Sequence, residues 1–377
     1  MTAIRRYTPE LIRDYMAKGY WRGELTVDFW LDNARKCPDR LAVLDSHQRL
    51  TWGEAGPRIE KLSAGLIALG FRKDDVILVQ AGNSVALMLF RLACERIGLV
   101  PVFLHYGFRR REIEHIIALT RPLGAAINAG NGKFDLIGLY HDLGRAHGWS
   151  DRILLLDGEE RPSVADLIET GGVPAPGDLE GRRFGIGELT SIVTSSGTTG
   201  APKCIEYSVW SRLHSGRVYI QRLEMTPDDR VAYFVPLYTG PSDLSYHTAP
   251  QIGSAQLLLE SFSPEAACRL IKAEKPTGVT LVPTMLHRIL GYGDFDPEDF
   301  ASLRFATCGG GVLPYEIGRR VEERFGAKII QAYGLMDCGA VTSHALSDSQ
   351  EARLRAQGRP LDGTEVRVLD AKGKALP

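Results

Sequence analysis

The chain has 377 residues, 44% of them hydrophobic and 24% charged, with 40 glycines and 20 prolines, which excludes collagen, a disordered tail and a disulfide scaffold. Its 45 basic and 46 acidic residues leave a formal net charge of −1, so there is no basic field to hold a nucleic-acid backbone. No apolar run approaches the roughly 20 residues of a membrane span or the core of a signal peptide, and six scattered cysteines without a C-x-x-C pair point to a reducing cytoplasm.

Short β-rich runs alternate with stretches of helical period, the pattern of parallel strands joined by crossover helices, so the class is α/β. In chain order, strands are expected at 41–45, 76–80, 100–104, 124–128 and 152–156, with helices over 55–69 and about 84–97. After a Gly/Pro-rich stretch at 172–183, further strands follow at 190–195, 231–235, 255–259, 279–282, 304–307 and 328–331, with helices over about 264–274 and 314–325. That stretch divides the chain into a first α/β subdomain (1–180) and a second (181–345), each built on a parallel sheet. The tail EVRVLD-AKGK alternates like an antiparallel strand entering a hairpin turn, so residues 346–377 are expected to begin a small β-rich subdomain.

Chemistry concentrates at 190–203, TSIVTSSGTTGAPK, where an apolar strand runs into six Ser, Thr and Gly residues and then Ala-Pro-Lys. Gly197 and Gly200 free the backbone to bring N–H groups to an anion. Thr194, Ser195, Ser196, Thr198 and Thr199 add short hydroxyl donors, and Lys203 adds the positive charge. A phosphate needs converging donors of this kind, each charge-assisted bond contributing about 1.5–3 kcal/mol. Gly197, Gly200 and Lys203 lie three apart, which departs from the Walker pattern and excludes a standard P-loop nucleotidase or kinase.

The segment SSGTTGAPK resembles the phosphate-loop signature of the adenylate-forming superfamily, which includes acyl-CoA synthetases, aryl-acid AMP ligases and luciferases. Other segments are similar in order and spacing: LTWGEA (50–55), ERIGLVPVFL (95–104), ATCGGGVLP (306–314), QAYGLMDCG (331–339) and GRPLDGTEVRVLD (358–370). The resemblance covers essentially the whole chain. It implies the fold of that superfamily's large N-terminal domain.

It also implies a reaction, in which a carboxylate attacks the α-phosphate of ATP, pyrophosphate leaves, and the acyl-adenylate passes its acyl group to a thiol. By resemblance, Thr194 to Lys203 would hold the β- and γ-phosphates. Gly309, Gly310 and Gly311 would let adenine and acid lie against bare backbone, and Gln331, Ala332, Tyr333 and Gly334 would flank the nucleotide. Asp337 falls where the family usually has a magnesium-binding Glu, so Mg2+ is the expected metal, with one methylene less of reach. Met336 replaces the usual Thr near the α-phosphate and removes one donor there. Lys203 and Asp337 are the expected catalytic pair.

The acid pocket is expected from VPLYTGPSDLSYHTAP (235–250), with Tyr238 as gate, Thr239 beside it, His247 near a polar substituent, and Gly309, Gly334 and Leu335 on the wall. Siderophore-type aryl-acid ligases carry His-Asn where this chain has Tyr238-Thr239, which disfavours salicylate and 2,3-dihydroxybenzoate. The resemblance thus implies a ligase joining an aromatic or alicyclic acid to coenzyme A. An AMP ligase loading a carrier protein's phosphopantetheine arm and a non-catalytic nucleotide- or acid-binding module stay open as alternatives. The superfamily's mobile C-terminal lid, with its Lys, has no counterpart here, so the chain is expected to be a truncated large domain that binds ATP or acid and adenylates slowly.

Overall fold

In the computed structural model, residues 7–129, 134–158, 162–195 and 200–376 are described, with backbone alone for 242–245. Their strands form two sheets, each mainly parallel.

The first sheet runs Ile153–Leu155, Ala125–Ile127, Val76–Gln80, Val100–Phe103, Ser191–Ser195 and Lys203–Tyr207, parallel until the last strand, which turns back on its neighbour. Val76–Gln80 and Val100–Phe103 are buried at every position, as continuous apolar runs must be when helices cover both faces.

The second sheet has a parallel centre of Lys328–Leu335, Phe305–Cys308, Gly278–Leu281, Arg230–Tyr233, Ala255–Leu258 and Leu41–Leu44. Antiparallel strands Gly339–Ser343 and Arg359–Pro360 extend one edge, and Arg49–Thr51 closes the other. Strands from both sides of the 172–183 stretch therefore enter both sheets. Leu41–Leu44 pairs with Ala255–Leu258, whereas Ser191–Ser195 and Lys203–Tyr207 belong to the first sheet, so the sheets do not follow the expected division at residue 180.

Local signals explain the helices that carry the site. Ser84 caps Val85–Ile97 by accepting from the Leu87 N–H, and Gly98 ends it with φ of 76°, a left-handed turn that glycine adopts without strain. Thr239 and Pro241 start Gly240–Ile252, a helix that the polar run and Pro250 hide from periodicity. At the tail the expected turn is present, with Gly373 at φ of 81° and Leu369 bridging Ala375. The expected strand before it is not formed: residues 365–368 belong to neither sheet, and Val366, Val368 and Leu369 are exposed. Among the described residues no helix is long and apolar enough to cross a membrane.

One buried carboxyl ties the N-terminal segment to this frame. Glu95, on Val85–Ile97, accepts the Val27 N–H at 2.9 Å, and burial pushes its carboxyl up to about 7 against the opposing pull of that bond and of Arg91. The folded state therefore holds the Glu95 proton more tightly than the unfolded chain, and this stabilisation is lost as pH rises from about 4.5 to 7. Relative to Glu95→Gln, the wild type should lose roughly 2–4 kcal/mol across that window in urea unfolding and run parallel above it. A pH-independent difference would contradict the assignment.

Candidate active site

The hydroxyl-rich segment sits where the first sheet reverses. Strand Ser191–Ser195 ends at Ser195, which lies opposite Lys203 at the start of the returning strand. Ser196, Gly197, Thr198 and Thr199 fall outside the described residues. Gly200 follows with φ of 93° and open space where a Cβ would stand. Lys203 is exposed and makes no ion pair among the described residues, so its ammonium is free to meet an anion at this bend. Thr194 corrects the expectation of a donor at every hydroxyl. It is buried, and its Oγ1 donates to the Phe103 carbonyl at 2.9 Å, because it still belongs to the strand.

The glycine-rich segment leaves the end of Phe305–Cys308. A Cβ on Gly309 would stand 2.9 Å from the Ala332 carbonyl oxygen, and Gly310 has φ of 78°, so the chain turns here only because both side chains are missing. Gly311 faces Pro283.

Beside it, Lys328–Leu335 carries Gln331, Ala332, Tyr333, Gly334 and Leu335 in succession. Gln331 is buried, and its amide donates to the Arg353 carbonyl at 2.8 Å, so its backbone rather than its side chain is what the site can use. Gly334 is required by the neighbouring strand, since a Cβ there would stand 2.4 Å from the Gly339 carbonyl oxygen. Tyr333 and Leu335 are 46% and 55% exposed and stand at the rim. Met336 is held from behind, its carbonyl accepting the Tyr207 hydroxyl at 2.8 Å. Asp337 is exposed in the turn that follows, and no cluster of three or more metal-ligating side chains exists among the described residues.

Under these segments lies a cavity of about 160 Å³ between the second sheet and the helices Val209–Arg222 and Gly240–Ile252. Gly309, Gly310 and residues 332–336 form one end of its lining, while Leu223, Met225, Val231 and Phe305 form another part of the wall. No charged side chain lines it among the described residues. The wall hydroxyls of Thr307 and Thr280 are 3.0 Å apart and bonded to each other. Burial pushes the Cys308 thiol up to about 12 and the Cys204 thiol, on the first sheet, up to about 11, so both stay protonated packing groups.

Among the described residues, the 235–250 segment meets this cavity at four positions. It is a turn followed by a helix, of which Gly240, Pro241, Thr248 and Ala249 reach the wall. Tyr238 is buried beside the backbone of Tyr106 and off the cavity lining, and burial raises its phenol. The Thr239 hydroxyl donates to the Pro236 carbonyl at 2.8 Å.

His247 turns away from the cavity, since residues 248 and 249 occupy the facing side of the helix. Its Nδ1 lies 2.6 Å from the Thr26 hydroxyl and its Nε2 3.3 Å from Arg91, which corrects the expectation of a substrate contact.

Sequence reading missed what holds this turn. Asn83 accepts the Leu237 N–H at 2.7 Å and donates to the Val235 and Leu259 carbonyls, and Arg91 donates to the Leu237 carbonyl at 3.1 Å. Both are buried polar groups in or just before an apolar helix. That oddity was the available signal.

Comparison with known proteins agrees with this geometry. The chain is 27% identical over 383 residues to 2-hydroxy-7-methoxy-5-methyl-1-naphthoate–CoA ligase of Streptomyces carzinostaticus, covering 96% of this chain and 67% of that protein. It is 28% identical over 377 residues to the salicyl-AMP ligase / salicyl-S-ArCP synthetase of Mycobacterium tuberculosis, covering 96% of this chain and 65% of that protein. The chain thus spans about two thirds of the length of these relatives. Its fold superposes on the apo structure of Mycobacterium smegmatis MbtA with a TM-score of 0.86 at 25% identity, over 98% of this chain and 68% of that one. Residues 30–377 match the family described as AMP-binding enzyme, and the chain belongs to that family, the adenylate-forming enzymes.

Proposed function

We propose that this chain activates a carboxylic acid with ATP. A carboxylate oxygen attacks the α-phosphorus, the bond to the bridging oxygen breaks, and pyrophosphate departs with that electron pair. The acyl-adenylate then transfers its acyl group to a thiol, AMP leaving as the sulfur–carbon bond forms and the thiol proton passes to solvent. The observation that carries this reading is a cavity, uncharged among the described residues, that opens under Gly309 and Gly310 within reach of the same rim that bears Tyr333 to Asp337.

Each group has a physical task. Lys203 and the bend from Ser195 would neutralise the phosphate tail, since charge management and alignment dominate phosphoryl chemistry. Gly309 and Gly310 would let the acid approach bare backbone. Asp337 suits a hard cation, which Mg2+ would satisfy with one carboxylate together with phosphate oxygens and waters.

The acid we assign is an aromatic or alicyclic monocarboxylic acid, because a wall whose described residues carry no charge rejects a second carboxylate or an ammonium group. Thr239 offers no amide, and its hydroxyl is engaged with Pro236, which argues against an ortho-hydroxyl reader at that place. The acceptor we assign is coenzyme A, with the cytoplasm as the compartment that supplies it. A carrier-protein arm is the other acceptor, and side-by-side thioester assays separate the two.

The direct test is acid-dependent release of pyrophosphate and AMP, followed by mass spectrometry of the acyl-adenylate. Adenylate formation with cyclic monocarboxylates and none with dicarboxylates is the expected result. ATP turnover indifferent to any acid would overturn the proposal.

A further inference from the structure

The cavity has a direction. Phe305 and Val231 share one row at the starts of their parallel strands, since both stand opposite Gly278. Gly309 leaves the other end of the strand that Phe305 begins. All three line the cavity, so it runs along the strands for roughly 13 Å, at about 3.3 Å per residue, from the glycine-rich rim to the strand starts.

Its far end is closed by the connection between the helix Val209–Arg222 and the strand Arg230–Tyr233, where Leu223 and Met225 line the wall. Leu223 is buried, but Glu224 and Thr226, on either side of Met225, are exposed. The Met225 side chain is therefore the layer between the cavity and the molecular surface at this end.

The backbone beneath that side chain is pinned. The Met225 N–H donates to the Ile220 carbonyl at 2.9 Å, and Arg304 donates to the Glu224 carbonyl at 3.0 Å. Asp229, which is buried, accepts the Thr226 N–H at 2.7 Å, the Thr277 hydroxyl at 2.6 Å and Arg304 at 2.7 Å. Glu224 holds a left-handed φ of 50°, which a residue with a side chain keeps only where its surroundings fix it. With the chain held in this way, the reach of one unbranched thioether decides where the cavity ends.

Resting on the functional reading above, we infer that Met225 is a specificity-determining residue: it closes the far end of the acid cavity and sets the greatest length of the acid's apolar body. The far wall of Leu223, Met225, Val231 and Phe305 is apolar. The substrate class is then a cyclic monocarboxylic acid that lies lengthwise along the strands, its carboxylate at the glycine rim, with an apolar substituent opposite the carboxylate that is short enough to stop at Met225.

The test is calorimetry on the full chain with benzoate and its para-alkyl series from methyl to hexyl, each without and with ATP, in the wild type, Met225→Ala and Met225→Trp. In the wild type, affinity should rise about threefold to fourfold per added carbon while the substituent fills the cavity. It should then fall about tenfold at one chain length, where the substituent meets Met225. Met225→Ala should move that break to substituents longer by about two carbons and leave benzoate within twofold, whereas Met225→Trp should move it to shorter ones. Benzoate serves as the folding control, because a variant that fails to fold loses it too, and the other variant, shifting the break in the opposite direction, then decides. A break at an unchanged length in the folded variants, or no break in the wild type, overturns the assignment of Met225. Absence of binding by every acid, with or without ATP, overturns the functional reading beneath it instead.

Discussion

Lys203→Ala should weaken ATP binding by roughly tenfold to a hundredfold without disturbing the fold. The lost group is an ammonium that would make charge-assisted bonds to phosphate oxygens, each contributing about 1.5–3 kcal/mol. The fold should survive because Lys203 is exposed and enters the sheet only through its backbone, opposite Ser195. Circular dichroism and thermal unfolding should match the wild type while calorimetry records the loss. Lys203→Arg should restore part of the affinity, since the charge returns with a different fork of donors. An unchanged ATP affinity in Lys203→Ala would remove the bend from the phosphate assignment.

The second large effect concerns stability. Arg353 and Glu322 form a doubly bonded ion pair at 2.9 Å, with side chains only 4% and 8% exposed. The pair organises the strand that carries the nucleotide-facing residues: Arg353 Nε donates to the Ile329 carbonyl at 3.2 Å, and Glu322 accepts the Ile329 N–H at 2.8 Å. The Arg353 carbonyl in turn accepts from Gln331.

Arg353→Met strands a buried carboxylate and should cost about 3–5 kcal/mol in urea unfolding. Adding Glu322→Gln should recover much of that loss, since the uncompensated charge, more than the missing contact, drives it. A loss under about 1 kcal/mol would mean that water reaches Glu322 and that the strand is held by its ladder bonds alone.

Much of the framework was legible because the residues that build it obey simple periods. Val76–Gln80 and Val100–Phe103 were readable as unbroken apolar runs, and Pro264–Glu274 from its Ser263 cap and apolar spacing. The helix Gly240–Ile252 was not readable, because its start is glycine, proline and polar residues and its last turn contains a proline. Sheet membership was hidden too. Nothing local in Leu41–Leu44 says that it pairs with a strand more than 200 residues downstream.

The site divides in the same way. Glycines at 309, 310 and 334 were identified through the family resemblance, and the structure gives each a specific neighbour or a left-handed φ. Side-chain roles were harder, because they depend on which groups the fold has already engaged. Thr194 is consumed by Phe103, Gln331 by Arg353, and His247 by Thr26 and Arg91.

A crystal structure of the chain with a non-hydrolysable ATP analogue and a cyclic monocarboxylate tests the whole account most directly. It should place phosphate oxygens within hydrogen-bond distance of Lys203 and the backbone after Ser195, with the acid's ring beneath Gly309 and Gly310 and its carboxylate at the rim. A nucleotide bound away from that bend, or an acid outside the cavity, would contradict it.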